Sequence, residues 1–169
     1  MTTPTPVMFF RDTVRPELLA LPDHTYGGVF YYATGDYTWP TAQIKRFKLA
    51  GKRVHAIDTS GTGAEIADIV DVETGDLSPQ DVPAWVDERW KHHSTAAVYC
   101  SRSVVPDVVS ALDGRPSYLI VADWTGQPHI PQLTLPPHVI LAGVQYANLP
   151  DFDLTAIYSR AWLEGAKIA

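Results

Sequence analysis

The sequence predicts an α/β chain closed into a compact barrel with trimmed helices, and three observations predict it. Short runs rich in Val, Ile, Phe and Tyr recur along the chain, most of them continuously apolar, which is the pattern of strands buried on both faces of a parallel sheet. Helical signals lie between several of these runs, as right-handed crossovers require. Nearly every run ends in an acid (Asp12, Asp58, Asp71 with Glu73, Asp123, Asp153), so parallel strands of one barrel would gather carboxylates at one mouth. A full eight-fold β/α barrel usually takes about 200 residues or more, so 169 residues leave room only for short helices and short returns. An open doubly wound sheet is the structural rival.

Residues 1–6 read as a flexible, proline-rich lead-in and 7–169 as a single barrel domain. Strands are expected at 7–12, 28–33, 53–58, 66–73, 96–101, 118–123, 139–146 and, more weakly, 153–157. In WPTAQIKRFKLAG, Pro40 stands near a helix start, Ile44 and Phe47 are three apart, and Gly51 is a stop. In SPQDVPAWVDERWKHH, Ser78 can cap and Pro79 open a helix that buries Trp85 and Trp90, with Pro83 as the alternative start. SVVPDVVSALDG forms a third helix, ended by Gly114. Residues 124–138 hold four prolines and show no substantial helix.

Hydrophobic residues make up 46% and aromatics 11%, an ordinary globular composition. A net charge of −6 argues against a protein that grips nucleic acid by neutralising phosphates, and the densest basic stretch, 45–53, reads as a solvated helix end. The lone Cys100 excludes an internal disulfide framework and sits in an apolar run, as an inert buried thiol would. No signal peptide is visible and no run approaches a membrane span, so synthesis in the cytoplasm without membrane insertion is expected. The oligomeric state is left open.

The central motif is Asp71-Val72-Glu73. Residues i and i+2 of a strand share a face, so both carboxyls point the same way near a strand's C-terminal end, where parallel barrels place their chemistry. Two close carboxyls push each other's pKa apart, leaving one protonated and one ionised, the division that glycoside hydrolysis needs. Taken alone, D-x-E usually marks a solvated surface; the preceding ADIV argues for a buried strand. Asp12 can instead cap a following helix, Asp58 can stabilise the DTSGTG turn, and Asp123 can pair with an Arg. Their joint placement at one end is the argument for a site.

Aromatic and amide side chains lie at the same level: Tyr32, Tyr99, Trp124, Gln145 and Tyr146, with Tyr31, Tyr37 and Trp39. Rings stack on sugar faces while hydroxyls and amides hydrogen-bond to them, although core packing claims roughly half of such residues. The histidines show no zinc spacing, so no metal and no cofactor is expected. There is no G-x-S-x-G, P-loop or G-x-G-x-x-G segment.

The order of these pieces resembles family 25 glycoside hydrolases, the bacterial and phage lysozymes (muramidases). The matching pieces are Asp12, DVE at 71–73, VYCS at 98–101, LIVADW at 119–124, GVQYAN at 143–148 and FDLT at 152–155. The chain is also similar to short actinobacterial and phage proteins carrying YxxGxYxWP, here residues 32–40, and DVExGDxxP, here residues 71–79. The resemblance implies an irregular, TIM-like β/α barrel that cuts the β-1,4 bond between N-acetylmuramic acid and N-acetylglucosamine. By position it makes Glu73 the general acid and gives Asp71 the orienting or charge-stabilising role, with Asp12 and Asp153 in support. The expected substrate-binding set is Tyr32, Asp58, Tyr99, Asp123, Trp124, Gln145 and Tyr146. Two departures bear on the substrate more than the fold: FFRDT lacks a G-x-D-V-S form, and the groove loops are short.

Three readings follow. The first is an endolysin-like glycosidase acting on peptidoglycan or a related N-acetylated glycan, reaching the wall after phage-type release. The second is a saccharide-binding or phage-associated module on the same barrel. The third places Mg²⁺ or Ca²⁺ in the acidic mouth for phosphoester chemistry, but such barrels want histidines at strand ends and only His55 is near.

Overall fold

The computed structural model describes residues 5–168, in which eight strands close into one barrel in sequence order. They are β1 (Met8–Asp12), β2 (Gly28–Tyr32), β3 (Arg53–Asp58), β4 (Ile69–Val72), β5 (Ala97–Ser101), β6 (Ser117–Ala122), β7 (Val139–Asn148) and β8 (Asp153–Ile157). Closure rules out the open doubly wound sheet. Most of the predicted N-terminal lead-in, residues 1–4, lies outside the described residues.

The expectation of parallel strands throughout needs one correction. Strands β1 to β7 pair in parallel, whereas β8 runs antiparallel to both β7 and β1. The cause is connection length: a parallel return needs a crossover of a dozen or more residues, and only residues 149–152 separate β7 from β8. The hairpin therefore starts β8 at the end where the other strands finish, which carries Asp153 to the mouth. The predicted strand 66–73 is also shorter than expected, because Ile66 and Ala67 close turns onto the Gly63 carbonyl before β4 begins.

Three helices fall where the sequence predicts them: α1 (Thr41–Leu49), α2 (Val82–His92) and α3 (Val105–Leu112). A 3₁₀ turn over Pro79–Asp81 precedes α2, so both candidate start signals are used in succession. Beyond α3 the chain turns through left-handed backbone at Asp113 and Gly114. The chain passes from β1 to β2, β3 to β4 and β6 to β7 without an α-helix, which is how the barrel fits its short length. Against the wall, Trp85 and Val86 of α2 and Val108 and Leu112 of α3 pack on Val70, Val72, Val98, Leu119 and Val121. Phe47 of α1 packs with Trp39 and Val29.

Inside the barrel, alternation turns Phe10, Phe30, Ile57, Ile69, Ala97, Ile120 and Ile157 toward the axis. Each such ring or branched chain contributes roughly 1.5–3 kcal/mol by leaving water. Phe10 and Phe30 stack at 4.8 Å. Gly28 makes room for this layer, since a Cβ there would lie 2.3 Å from the Phe10 ring. A last short helix, α4 (Arg160–Leu163), was not evident in the sequence. Ser159 Oγ accepts from the Trp162 N–H at 3.1 Å, and Trp162 closes the barrel floor against His55 at 4.6 Å. The apolar floor leaves one polar end, at the C-terminal tips of β1 to β7.

Candidate active site

The inward positions one step above the apolar layer are polar. Asp12 ends β1, Tyr32 ends β2, Asp71 lies on β4 with Glu73 just beyond it, Tyr99 is on β5, Gln145 on β7, and Asp153 starts β8. The antiparallel register sets Asp153 directly across from Asp12 on one side and Asn148 on the other. Together with Trp124 these residues line one cavity of about 170 Å³, floored by Phe30, Ile57, Ile69 and Ile120. All four expected catalytic acids therefore meet in one place.

A hydrogen-bonded chain fixes one side of the cavity. Tyr99 Oη donates to Gln145 Oε1 at 2.5 Å, Gln145 Nε2 donates to Asp12 Oδ2 at 3.1 Å, and Tyr32 Oη donates to Asp12 Oδ1 at 3.0 Å. Asp12 is thus buried with both oxygens occupied. Asp71 is equally enclosed, 6% exposed, but its Oδ1 has no partner. Glu73 stands exposed at the rim.

Enclosure and crowding shift all of these carboxyls upward. Burial, then the Asp153 charge, lifts Asp12 to about 7 against the bonds from Tyr32 and Gln145. Burial, followed by Glu73, Asp76 and Asp12, lifts Asp71 to about 9. Burial and Glu73 bring Asp153 to about 6. Glu73 is raised by burial and by Asp76, with the Tyr99 hydroxyl opposing. The cluster consequently keeps protons at neutral pH that free carboxyls would have lost.

The cavity opens to a groove. On one side of the β4 end a depression of about 700 Å³ is lined by Thr74, Asp76, Ser101, Val104 and Asp107; on the other, one of about 340 Å³ is lined by Gly35, Asp36, Tyr37 and Thr59. Glu73 lines both depressions and the central cavity.

Three of the expected substrate-binding residues are not in this cavity. Asp58 occupies a strand end, but the inward residue of that pair is Ile57, so Asp58 points outward and is fully buried against α2. It accepts from Thr34 Oγ1 (2.5 Å), Ser60 N and Oγ (both 2.9 Å), Gly61 N (3.1 Å), Gly63 N (2.6 Å) and Trp85 Nε1 (2.8 Å). Burial alone would raise its pKa, yet these donors hold it below the ordinary value. Asp58 locks the loop after β3 onto α2. Tyr146, one residue after Gln145, likewise faces outward and packs on Val144, Ala156 and Phe9. Asp123 stands beside the rim, where its Oδ2 meets Arg102 NH1 at 2.9 Å and His129 Nε2 at 2.8 Å; this pins the segment that carries Trp124.

Sequence reasoning passed over Asp76, Asp36, Asp107 and Asn148. Asp76 and Asn148 were inside segments already singled out, DVETGD and GVQYAN; Asp107 sits in the first turn of α3, where an acid is expected for helix reasons alone. Among the described residues, the group of three metal-type donors within 4.8 Å of one another is Glu65, Glu88 and His92, beside α2 and away from the mouth. No described helix is long and apolar enough to cross a membrane.

No protein-family model and no curated protein matches the chain. Solved structures do. The bacterial lysozyme from Streptomyces coelicolor is 15% identical with a TM-score of 0.60, covering 95% of each chain. The muramidase from Acremonium alcalophilum is 15% identical with a TM-score of 0.61, covering 94% of this chain and 99% of that one. A family GH25 lysozyme from Aspergillus fumigatus is 13% identical with a TM-score of 0.58, covering 83% and 88%. At these identities the likeness is one of fold: the chain has the irregular β/α barrel of these lysozyme and muramidase structures.

Proposed function

We propose that the chain is a glycoside hydrolase of muramidase type, cleaving peptidoglycan or a related N-acetylated glycan at the mouth of the barrel. The observation that carries this reading is the position of Glu73. It is a carboxyl with a raised pKa, on the rim of an acid-lined cavity, where depressions from both sides meet. A polymer laid along that groove would pass its linkage over Glu73.

In this reading Glu73 is the general acid. Its proton goes to the glycosidic oxygen as the bond to the anomeric carbon breaks, and the charge developing on the sugar ring is stabilised by the carboxylates below it. Water adds to the anomeric carbon, and its proton restores Glu73. Asp71, pushed to about 9, enters as a protonated group that orients the reacting sugar by hydrogen bonding. Asp12, held by Tyr32 and Gln145, and Asp153 supply negative charge as they ionise near neutrality. Trp124, half exposed at the cavity edge, offers a face for a sugar ring. Wall glycan places the site of action outside the cell membrane, which requires release or export of the chain.

The test compares wild type with Glu73→Gln on purified Gram-positive walls, reading turbidity and released reducing sugar. Loss of a proton donor of this kind lowers kcat by about 10²–10⁴-fold. Wild-type protein that releases no sugar from any wall would overturn the reading; wall binding without release by either protein would make the chain a saccharide-binding module.

A further inference from the structure

We propose, resting on the hydrolase reading of the same groove, that the glycan taken here carries free amino groups. It would be a partly de-N-acetylated amino-sugar polymer whose ammonium groups sit beside Asp76 and Asp107 on one side of Glu73 and Asp36 on the other.

The first ground is the charge of the lining. The acids of the central cavity are continued outward by Asp76, Asp107 and Asp36, and among the described residues no Lys, Arg or His lines the cavity or either flanking depression. A third depression, which shares Asp12, Tyr32, Asn148 and Asp153 with the cavity, carries Arg15, whose charge is met by Asp151 at 3.4 Å. A surface of one sign in a concave site concentrates ligands of the opposite sign and repels those of its own.

The second ground is independent of charge count. Asp71 is nine-tenths buried, lines the cavity, and has an oxygen without a hydrogen-bond partner. A buried carboxyl oxygen left unpaired is costly, and an ammonium beside it would let the group ionise and accept a charge-assisted hydrogen bond. An ammonium brings three N–H donors and a full charge, whereas an acetamide brings one N–H donor and no charge. Burial also holds Asp76 above the ordinary carboxylate range, a penalty that a neighbouring ammonium removes.

A small inorganic cation fits less well. A compact ion needs several oxygens converging on a point, and among the described residues the acids of the mouth form no group of three within 4.8 Å. Carboxylates spread along a groove suit charges spread along a chain of sugars.

The experiment uses the Glu73→Gln protein and titration calorimetry with two probes, a β-1,4-glucosamine hexamer and the N-acetylglucosamine hexamer, at low and high salt. The expected result is at least tenfold tighter binding of the amine form at low salt, lost near 1 M salt where the screening length falls to about 3 Å. Substituting both Asp36→Asn and Asp107→Asn, each exposed, should cut that preference several-fold. Equal binding, tighter binding of the acetylated form, a preference insensitive to salt, or no binding of either probe would overturn the proposal. Wild-type turnover of walls before and after chemical N-acetylation separates the two claims. Amine-selective binding with no cleavage of any wall leaves this inference standing and removes the hydrolase reading.

Discussion

Asp58 offers the sharpest test of how the strands are faced. The Asp58→Ala change removes the acceptor of six hydrogen bonds. Four of the donors, on Thr34, Ser60 and Gly61, lie in a partly exposed loop and can turn to water. Two cannot: the Gly63 N–H and the Trp85 indole N–H are buried. Leaving each buried donor unmatched costs about 1–3 kcal/mol, so a total near 4 kcal/mol is expected. For a chain of this size each kcal/mol lowers Tm by about 2–4 °C, which gives a fall of roughly 8–16 °C. The measurement is thermal unfolding by calorimetry, with wall hydrolysis at 25 °C alongside it. Because Asp58 lies outside the barrel wall, the folded variant should keep kcat/KM within about threefold, the effect of a structural site rather than a binding one. A Tm within about 3 °C of wild type would refute the packing argument, and a large loss of kcat/KM at unchanged Tm would return Asp58 to the substrate. Since the pKa of Asp58 is depressed by folding, its contribution is present above the ordinary value of 3.8 and is lost as pH falls below it.

The mouth behaves in the opposite sense. Asp12, Asp71 and Asp153 bind protons more tightly folded than unfolded, so the stability they confer is full below pH 3.8 and is lost as pH rises through about 6, 7 and 9. Asp71→Asn should therefore raise Tm at pH 8, by about 4–8 °C for roughly 2 kcal/mol, and have little effect at pH 4; a lower Tm at pH 8 would refute the crowding of these carboxyls. It should also lower kcat on walls, the usual exchange of activity for stability at a strained site. Trp124→Ala removes a half-exposed ring and should raise KM about tenfold with kcat nearly unchanged and Tm within about 2 °C; a fall in kcat at constant KM would place the ring at the reacting bond instead.

Much of this was legible in the residues. Recurring apolar runs specify strands because a buried strand excludes polar side chains, and too few residues for full crossovers specify trimmed helices. The pairing of Asp71 with Glu73 followed from the two-residue repeat of a strand, a local property. Faces across the chain are different. Asp12 and Asp58 both end strands, as Gln145 and Tyr146 both lie near the end of β7, yet one of each pair enters the cavity and the other the outer wall. A single residue of register flips a side chain to the opposite face, and register is set by neighbouring strands far away in sequence. The direction of β8 depended on how four residues could close a hairpin, and the raised pKa values depended on closure of the barrel around the acids. The sequence alone thus determined the α/β class, most of the strands and the Asp71–Glu73 pair, because these rest on local periodicity and length, while closure of the sheet chose the barrel over its open rival. Tertiary structure decided which acids share the mouth and which of them keep their protons, because burial and distance exist only once the barrel has closed.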